Sequence, residues 1–187
     1  MTDMKTNSIR RVVLLGAVLV GGFGSSQAFA ASQGTLGATS TGSVTITASV
    51  PNRARITGLT DVAFTNQDPA TLASDAQDVC VWSNTATKEY TVTATGSGAA
   101  SAFTLTNGST TVPYTVEWAS STGQTTGSSL STGTASAALT STATHQTCTS
   151  GPAASASLIV EIATADLGTM SAGSNYTGTL TLLVTPQ

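Results

Sequence analysis

Charged side chains are scarce in this sequence, and histidine and cysteine are scarcer still. Asp, Glu, Lys and Arg make up 8% of the 187 residues, and there are one histidine and two cysteines. Beyond residue 30, three basic residues stand against eight acidic ones, a net charge of −5. Such a chain lacks both the basic patch that binds nucleic acid and the cationic stripe that binds an anionic membrane. We therefore expect no nucleic-acid partner.

The one long apolar run lies at the N-terminus, where the three parts of a secretory signal follow one another. Basic residues precede the apolar stretch Val12–Gly24, and Ala28-Phe29-Ala30 supplies the small side chains that a signal peptidase requires. We predict a signal peptide over residues 1–30, cleaved between Ala30 and Ala31. The alternative, an N-terminal membrane helix, is disfavoured because the stretch is too short to span a bilayer. We expect no direct insertion into a membrane after cleavage.

The two cysteines, Cys80 and Cys148, would be exported together with the rest of the chain. In an oxidising compartment a single pair favours a disulfide. Closing so long a loop stabilises a protein by about 4 kcal/mol in the chain-entropy model. The alternative is a metal site, for which only His145 lies close by in sequence and no acidic cluster completes the shell. We predict a disulfide, and neither a metal nor a cofactor.

Residue patterns that would indicate catalysis are also lacking. His145 is the single histidine, and no nucleophile-elbow motif accompanies it. Glu117 and Glu161 alternate with apolar neighbours, as residues on the outward face of a strand do, and do not indicate a carboxylate pair for glycoside cleavage. No glycine-rich phosphate loop leads into a helix. We predict a protein that is not an enzyme and has no catalytic residues.

Threonine and serine are what the sequence has in excess. Beyond residue 30 we count 35 Thr and 21 Ser. Short segments in which threonines alternate with apolar residues recur between glycine and Asn-Gly turns, and no amphipathic helix is evident. This pattern predicts an all-β fold, an immunoglobulin-like β-sandwich of about eight strands. The candidate strands are 44–50, 56–64, 78–82, 89–95, 102–106, 111–119 and 155–163, with a closing strand at 176–185 and a weak one at 135–140.

The aromatic residues fall almost entirely on these candidate strands. We expect them in the core, with a tryptophan beside the disulfide. The alternative function that they allow is a secreted monomeric β-sandwich that binds carbohydrate through exposed rings. The six aromatic residues concerned are Trp82, Tyr90, Phe103, Tyr114, Trp118 and Tyr176.

The segment that follows the leader has two parts. Residues 31–42 are small, polar and glycine-rich, which is typical of a mobile tail. Residues 44–50 then alternate strictly, and Pro51 ends the run. The alternation predicts a strand with one apolar face. That face consists of Val44, Ile46, Ala48 and Val50.

Three stretches together resemble a known family. They are "SVTITASVP" from Ser43, "YTVEW" over Tyr114–Trp118, and the ending "MSAGSNYTGTLTLLVT" from Met170. They resemble the N-terminal strand, a strand with the pattern "ISVSW" and the closing segment of subunits of chaperone–usher fimbriae. The resemblance is greatest to alpha-class colonisation-factor major pilins, with some similarity to spore-coat-U-like archaic pilins.

The resemblance implies an incomplete sandwich that lacks one strand and carries a donor strand at its N-terminus. A periplasmic chaperone would first fill the groove, and an outer-membrane usher would pass the subunit on. The N-terminal strand of a neighbouring copy would then replace the chaperone. It implies a donor-strand extension over residues 31–52, a fimbrial domain over 53–187, and a location on the cell surface in adhesion or biofilm formation. The alternative is that residues 44–50 are the first strand of a closed sandwich.

Overall fold

The computed structural model describes residues 30–187, so that the predicted leader, except for Ala30, lies outside the described residues. Contacts separate a unit that ends at Ser49 from a unit that runs from Val50 to Gln187. The second unit contains all the named strands of the described part. They are β1 (Ala54–Thr57), β2 (Ala73–Ser83), β3 (Glu89–Gly96), β4 (Thr104–Thr106), β5 (Thr111–Pro113), β6 (Thr115–Ala119), β7 (Ser128–Ser129), β8 (Leu139–Thr140), β9 (Ala156–Ile162) and β10 (Leu180–Pro186).

The strands pair into three antiparallel sheets. The largest has the order β1-β2-β9-β6-β7, the second has the order β10-β3-β8, and β4 pairs with β5 alone. Helical structure in the second unit is limited to a 3₁₀ turn, Ala99–Ser101, and the one-turn helix α1, Thr164–Leu167. The predicted all-β, sandwich-like class is confirmed.

The core lies between the two larger sheets and follows from the alternation of apolar and polar residues. Tyr90, Val92 and Ala94 of β3 are fully buried, and they share one apolar cluster with Val116 and Trp118 of β6. The Trp118 indole Nε1 donates a hydrogen bond to the Tyr90 hydroxyl at 3.3 Å, which links a strand of one sheet to a strand of the other. Buried aromatic polar atoms require such a partner, and this pair supplies it.

The predicted strand 111–119 is two strands in the structure, because its hydrogen-bond partner changes. β5 pairs with β4, whereas β6 pairs with β9. Tyr114 lies at the change, where its backbone N–H donates to the Phe103 carbonyl at 3.0 Å and its ring stacks on the Phe103 ring at 5.7 Å. The chain thus passes from the small sheet into the large one without a turn.

Two other elements differ from the expectation. The predicted strand 56–64 ends at Thr57, since Gly58 turns the chain with a φ of 85°. β2 begins at Ala73, well before the apolar stretch, because its polar first half pairs with β9. There the Ser74 hydroxyl donates to the Glu161 carboxylate at 3.0 Å. Backbone pairing with a buried neighbour therefore extends a strand beyond its apolar residues.

A disulfide between Cys80 and Cys148 ties β2 to the loop that leads to β9. Both cysteines are buried with Ala143 in a second, smaller apolar cluster, and the partly buried Trp82 packs against it. The tryptophan lies beside the disulfide, as its phase on the strand predicts. The loop is held further by Ser155, whose hydroxyl accepts a bond from Val81 N at 2.9 Å and donates to Val81 O at 2.8 Å.

Candidate functional site

Each of the two larger sheets has an edge strand with a single partner. β1 pairs only with β2, and β10 pairs only with β3. Cα atoms of β1 and β10 come within 8 Å of each other, but among the described residues no bridge or backbone hydrogen bond joins the two strands. We call the line along which these two edges meet the open seam.

The backbone of β10 presents unused hydrogen-bonding groups at the open seam. Gln187 N donates to Glu89 O at 3.0 Å, which fixes the phase of the β10–β3 ladder. In an antiparallel pair the residues alternate between those that bond to the partner and those that point away from it. The N–H and C=O groups of Leu180, Leu182 and Val184 therefore point away from β3, towards the free edge.

The backbone of β1 has the matching arrangement. Asn84 N donates to Arg53 O at 3.1 Å, in register with the β1–β2 ladder. By the same alternation, the backbone groups of Ala54 and Ile56 face away from β2. An unpaired edge of this kind is a template for a further strand.

Apolar side chains at the open seam are covered on one side only. Leu180, Leu182 and Val184 of β10 pack against the main core together with Ile56 of β1, yet all four remain partly exposed. The cross-strand partners of Leu182 and Val184 on β3, which are Ala94 and Val92, are fully buried. The core is thus complete at β3 and incomplete at β10. A strand with apolar residues at alternate positions would cover it.

An exposed segment with that pattern precedes β1 in the chain. Val44, Ile46 and Val50 are 71%, 88% and 76% exposed, and Ala48 is exposed as well. Residues 44–50 belong to no strand in the described part of the chain, although their sequence predicts one. The one pairing within the described residues 30–49 is a bridge between Ser32 and Ser43. We call residues 31–52, whose apolar side chains are exposed, the arm.

The cleavage site predicted at Ala30 and Ala31 lies at the start of the described residues, and both side chains are exposed.

The residues with reactive side chains lie on outer surfaces and in loops. His145 is exposed, and its Nδ1 is within 3.1 Å of the hydroxyls of Thr147 and Thr149. Glu117 accepts a bond from Gly127 N at 2.8 Å, so that its carboxylate holds the loop after β6. Among the described residues no three His, Cys, Asp or Glu side chains gather as metal ligands would. In that same part of the chain, no helix is long and apolar enough to cross a membrane.

Asp78, a carboxylate with a lowered pKa, is also a loop anchor. Asp78 accepts bonds from Gly123 N and the Ser157 hydroxyl, both at 2.7 Å. These bonds, the backbone one first, stabilise the charged form and lower the pKa of Asp78 below its ordinary value of 3.8. Buried tyrosines shift the other way, since burial raises the pKa of Tyr90 and of Tyr114. Burial and the hydrogen bonds of the fold account for these pKa shifts, and Asp78, Tyr90 and Tyr114 are not hydrogen-bonded to one another.

The residues that line the open seam were only partly visible in the sequence. The alternation of Leu180, Leu182 and Val184 was evident, but nothing in it distinguishes an edge strand from a central one. Ile56 lies in a segment of four strand residues, too short for a clear period. The signal that could have found the seam is the pairing of each strand, which depends on contacts distant in sequence.

Comparison with known proteins gives limited matches. No family model matches the sequence, and no curated protein matches it. A solved structure of a chaperone–tip adhesin complex, vital for synergistic activation of CFA/I fimbriae biogenesis, contains a chain similar to this one. The two are 15% identical with a TM-score of 0.46, and the match covers 73% of this chain and 41% of that one. The chain therefore spans less than half the length of that structure's chain.

Proposed function

We propose that this protein is a structural subunit of a bacterial surface fibre, polymerised by donor-strand exchange. The observation that carries the proposal is the open seam, where both sheets have a free edge and the side chains of β10 are only half covered, so that one more strand would complete the core. The occupant that we assign to it is the arm of a second copy. In this assignment residues 53–187 are the fimbrial domain, and the resemblance of three stretches to fimbrial subunits, one in the arm and two in the domain, supports the same interpretation.

The arm has the chemistry that the open seam requires. An extended strand places Val44, Ile46, Ala48 and Val50 on one face, and its backbone can pair with the free edge of β10. Full burial of a Val or Ile side chain contributes on the order of 1.5–3 kcal/mol, and less for Ala. A strand held between two neighbours keeps them roughly 9.6 Å apart. The seam must therefore open by at least about 1.6 Å at the points where Cα atoms of β1 and β10 now lie within 8 Å.

Donor and acceptor are different surfaces of the same chain, and this determines the kind of assembly. Each copy offers one arm and one seam, so that the contact is head to tail. Contacts of this type build rings or open filaments, and not two-fold dimers. A filament with few charged side chains and many threonines on its subunits suits a fibre shaft that serves adhesion or biofilm formation.

The proposal includes the route to the cell surface. An exposed apolar edge is prone to aggregation until it is filled. We propose that a periplasmic chaperone covers the seam after the leader is removed between Ala30 and Ala31. An outer-membrane usher would then bring the seam to the arm of the next copy. The proposed route includes no cofactor.

Carbohydrate binding, the alternative function, receives no support from a specific observation. A sugar platform needs exposed aromatic rings, and every aromatic residue that the structure describes is buried or half-buried. Trp82, the largest of the half-buried ones, packs against the disulfide cluster.

The test compares two substitutions on opposite faces of the arm. Ile46→Asp places a charge on the face that would enter the core, whereas Thr47→Asp places the same charge on the other face. We expect Ile46→Asp to abolish the detergent-resistant ladder of multimers on gels and Thr47→Asp to retain it. The chain that begins at Arg53 should remain monomeric at every concentration. If that armless chain still forms the ladder, strand donation by the arm is wrong.

A further inference from the structure

Asn84 makes an unusual set of hydrogen bonds at the point where the arm joins the domain. Its side-chain Oδ1 accepts from Arg53 N at 2.6 Å, and its Nδ2 donates to Pro51 O at 2.9 Å. Its own backbone N–H donates to Arg53 O at 3.1 Å. One residue thus binds the chain on both sides of Asn52. The side-chain amide of Asn84 thus supplies hydrogen bonds where the backbone ladder between β1 and β2 ends.

These bonds fix the direction of the chain before β1. Because Arg53 and Asn84 are in register with the β1–β2 pairing, residues 51–53 continue the line of β1 and do not fold back. The backbone chemistry acts in the same direction. Proline holds its own φ near −65°, and it disfavours the helical region for the preceding residue, Val50. Residues 51–53 are therefore extended where they enter β1.

That direction decides which open seam the arm can reach. To bring its own Val50 beside its own β1, the chain would have to reverse within residues 51–53. Three-residue connections are common in antiparallel hairpins, so the length of the chain does not prevent this reversal. The reversal would, however, break both side-chain bonds of Asn84. Without them the arm could fill the seam of its own domain and leave the copy inert for assembly.

We propose that Asn84 is a positioning residue that holds the arm away from its own open seam and so reserves it for another copy. This inference rests on the proposed function and concerns its regulation: the choice between filling within one chain and exchange between chains. Asn84 touches neither the apolar face of the arm nor the seam residues of β10 in the hydrogen bonds described above. Its effect is exerted through Pro51 and Arg53.

The test compares full chains, from Ala31 onwards, that differ at Asn84. Asn84→Ala removes both side-chain bonds, and we expect the ratio of self-filled monomer to multimer to rise about tenfold, equivalent to about 1.4 kcal/mol. Asn84→Asp can accept from Arg53 N but cannot donate to Pro51 O, so it should give an intermediate ratio. Size-exclusion chromatography with light scattering measures the ratio. Hydrogen exchange identifies self-filled monomers by protection of the Leu182 and Val184 amides.

Asn107→Ala is the matched control. Asn107 also makes several side-chain bonds to nearby residues, accepting from Ser109 N at 3.0 Å and Thr110 N at 2.8 Å in the β4–β5 turn. Its loss should lower stability without changing the ratio of monomer to multimer. A merely structural role for Asn84 predicts the same behaviour for both variants.

The outcomes separate the inference from the function on which it rests. If the wild-type chain forms arm-dependent multimers and Asn84→Ala forms the same proportion, the positioning role is refuted and the proposed function stands. If the wild type forms no multimers and its seam amides never gain protection, both fail.

Discussion

At the scale of single residues, polar side chains replace missing backbone partners along irregular strands. The Ser155 hydroxyl satisfies both polar groups of Val81, and the Ser136 hydroxyl accepts from Val92 N at 3.0 Å. Burial of these backbone groups without a partner would cost about 1–3 kcal/mol each. The abundance of small hydroxyl side chains therefore has a structural use. It lets short, interrupted strands enclose a core without long ladders.

Asp78 should make the stability of the protein depend on pH. Its folded-state pKa lies below the ordinary value of 3.8, because Gly123 N and the Ser157 hydroxyl bind the carboxylate. A lowered pKa contributes stability above the ordinary value, and this contribution is lost as the pH falls through the folded pKa. We expect the urea midpoint of the wild type to fall between about pH 5 and about pH 2 by more than that of Asp78→Asn.

The comparison needs a control for the removal of a charge. Asp75→Asn neutralises a carboxylate on the same strand that accepts no side-chain hydrogen bond among the described residues. The urea midpoint of Asp75→Asn should fall with pH as much as that of the wild type. Equal falls for wild type and Asp78→Asn would show that the loop anchor contributes nothing that depends on charge.

At the scale of elements, the disulfide joins β2 to a loop without regular structure. The loop before β9 depends on Cys148, Ser141 and Ser155 for its contacts with β2. We expect Cys80→Ala combined with Cys148→Ala to lower the free energy of unfolding by about 2–5 kcal/mol. Urea denaturation under non-reducing conditions measures this difference.

Reduction supplies the control for that double variant. Wild-type protein unfolded in the presence of a thiol reductant should match it, since both lack the cross-link and differ only in two sulfur atoms. If the oxidised wild type is no more stable than the double variant, the bond is not a stabilising element of this domain.

Individual strands could be predicted from the sequence where alternation and turn chemistry coincide. Tyr90, Val92 and Ala94 alternate strictly, and the Asn107-Gly108 pair makes the turn between β4 and β5, where Gly108 has a φ of 95°. The polar half of β2 could not be found in this way, because its pairing with β9 extends it and its own pattern does not. For residues 44–50 the sequence pattern predicts a strand that the structure does not contain. They have the best alternation in the chain, yet they form no strand in the described structure.

At the scale of the whole molecule, that last difference has a physical reason. A strand is a property of a pair, and alternation shows only that a segment can cover a core. The open seam between β1 and β10 lacks what such a segment could supply, because its core is partly covered and its backbone groups are unpaired. Which strands lie at the edges depends on the order β1-β2-β9-β6-β7 and β10-β3-β8, which no local pattern specifies.

The resulting prediction concerns the domain and the arm as separate molecules. A peptide of residues 43–52 should bind the chain that begins at Arg53 and stabilise it, since a ligand that binds only the folded state adds RT ln(1 + [L]/Kd) to its stability. At a peptide concentration of 100 times Kd this amounts to about 2.7 kcal/mol. The same peptide with Ile46→Asp should have no effect. The melting temperature, measured against peptide concentration, follows the gain.

Hydrogen exchange then tests where the peptide binds. The amides of Leu182 and Val184 face the free edge of β10, so a strand added there should slow their exchange markedly. β7 is the edge of the large sheet that lies farthest from β1. Its Ser129 amide serves as an internal control: Leu130 N donates to Val116 O at 2.9 Å, so that by alternation the backbone of Ser129 faces away from β6. Protection at β7 with none at β10 would mean that the peptide adds to a different edge and that the open seam is not the acceptor. Protection confined to β10 would identify the free edge of β10, at Leu182 and Val184, as the surface that binds the arm. In a fibre, the arm of a neighbouring copy would bind there.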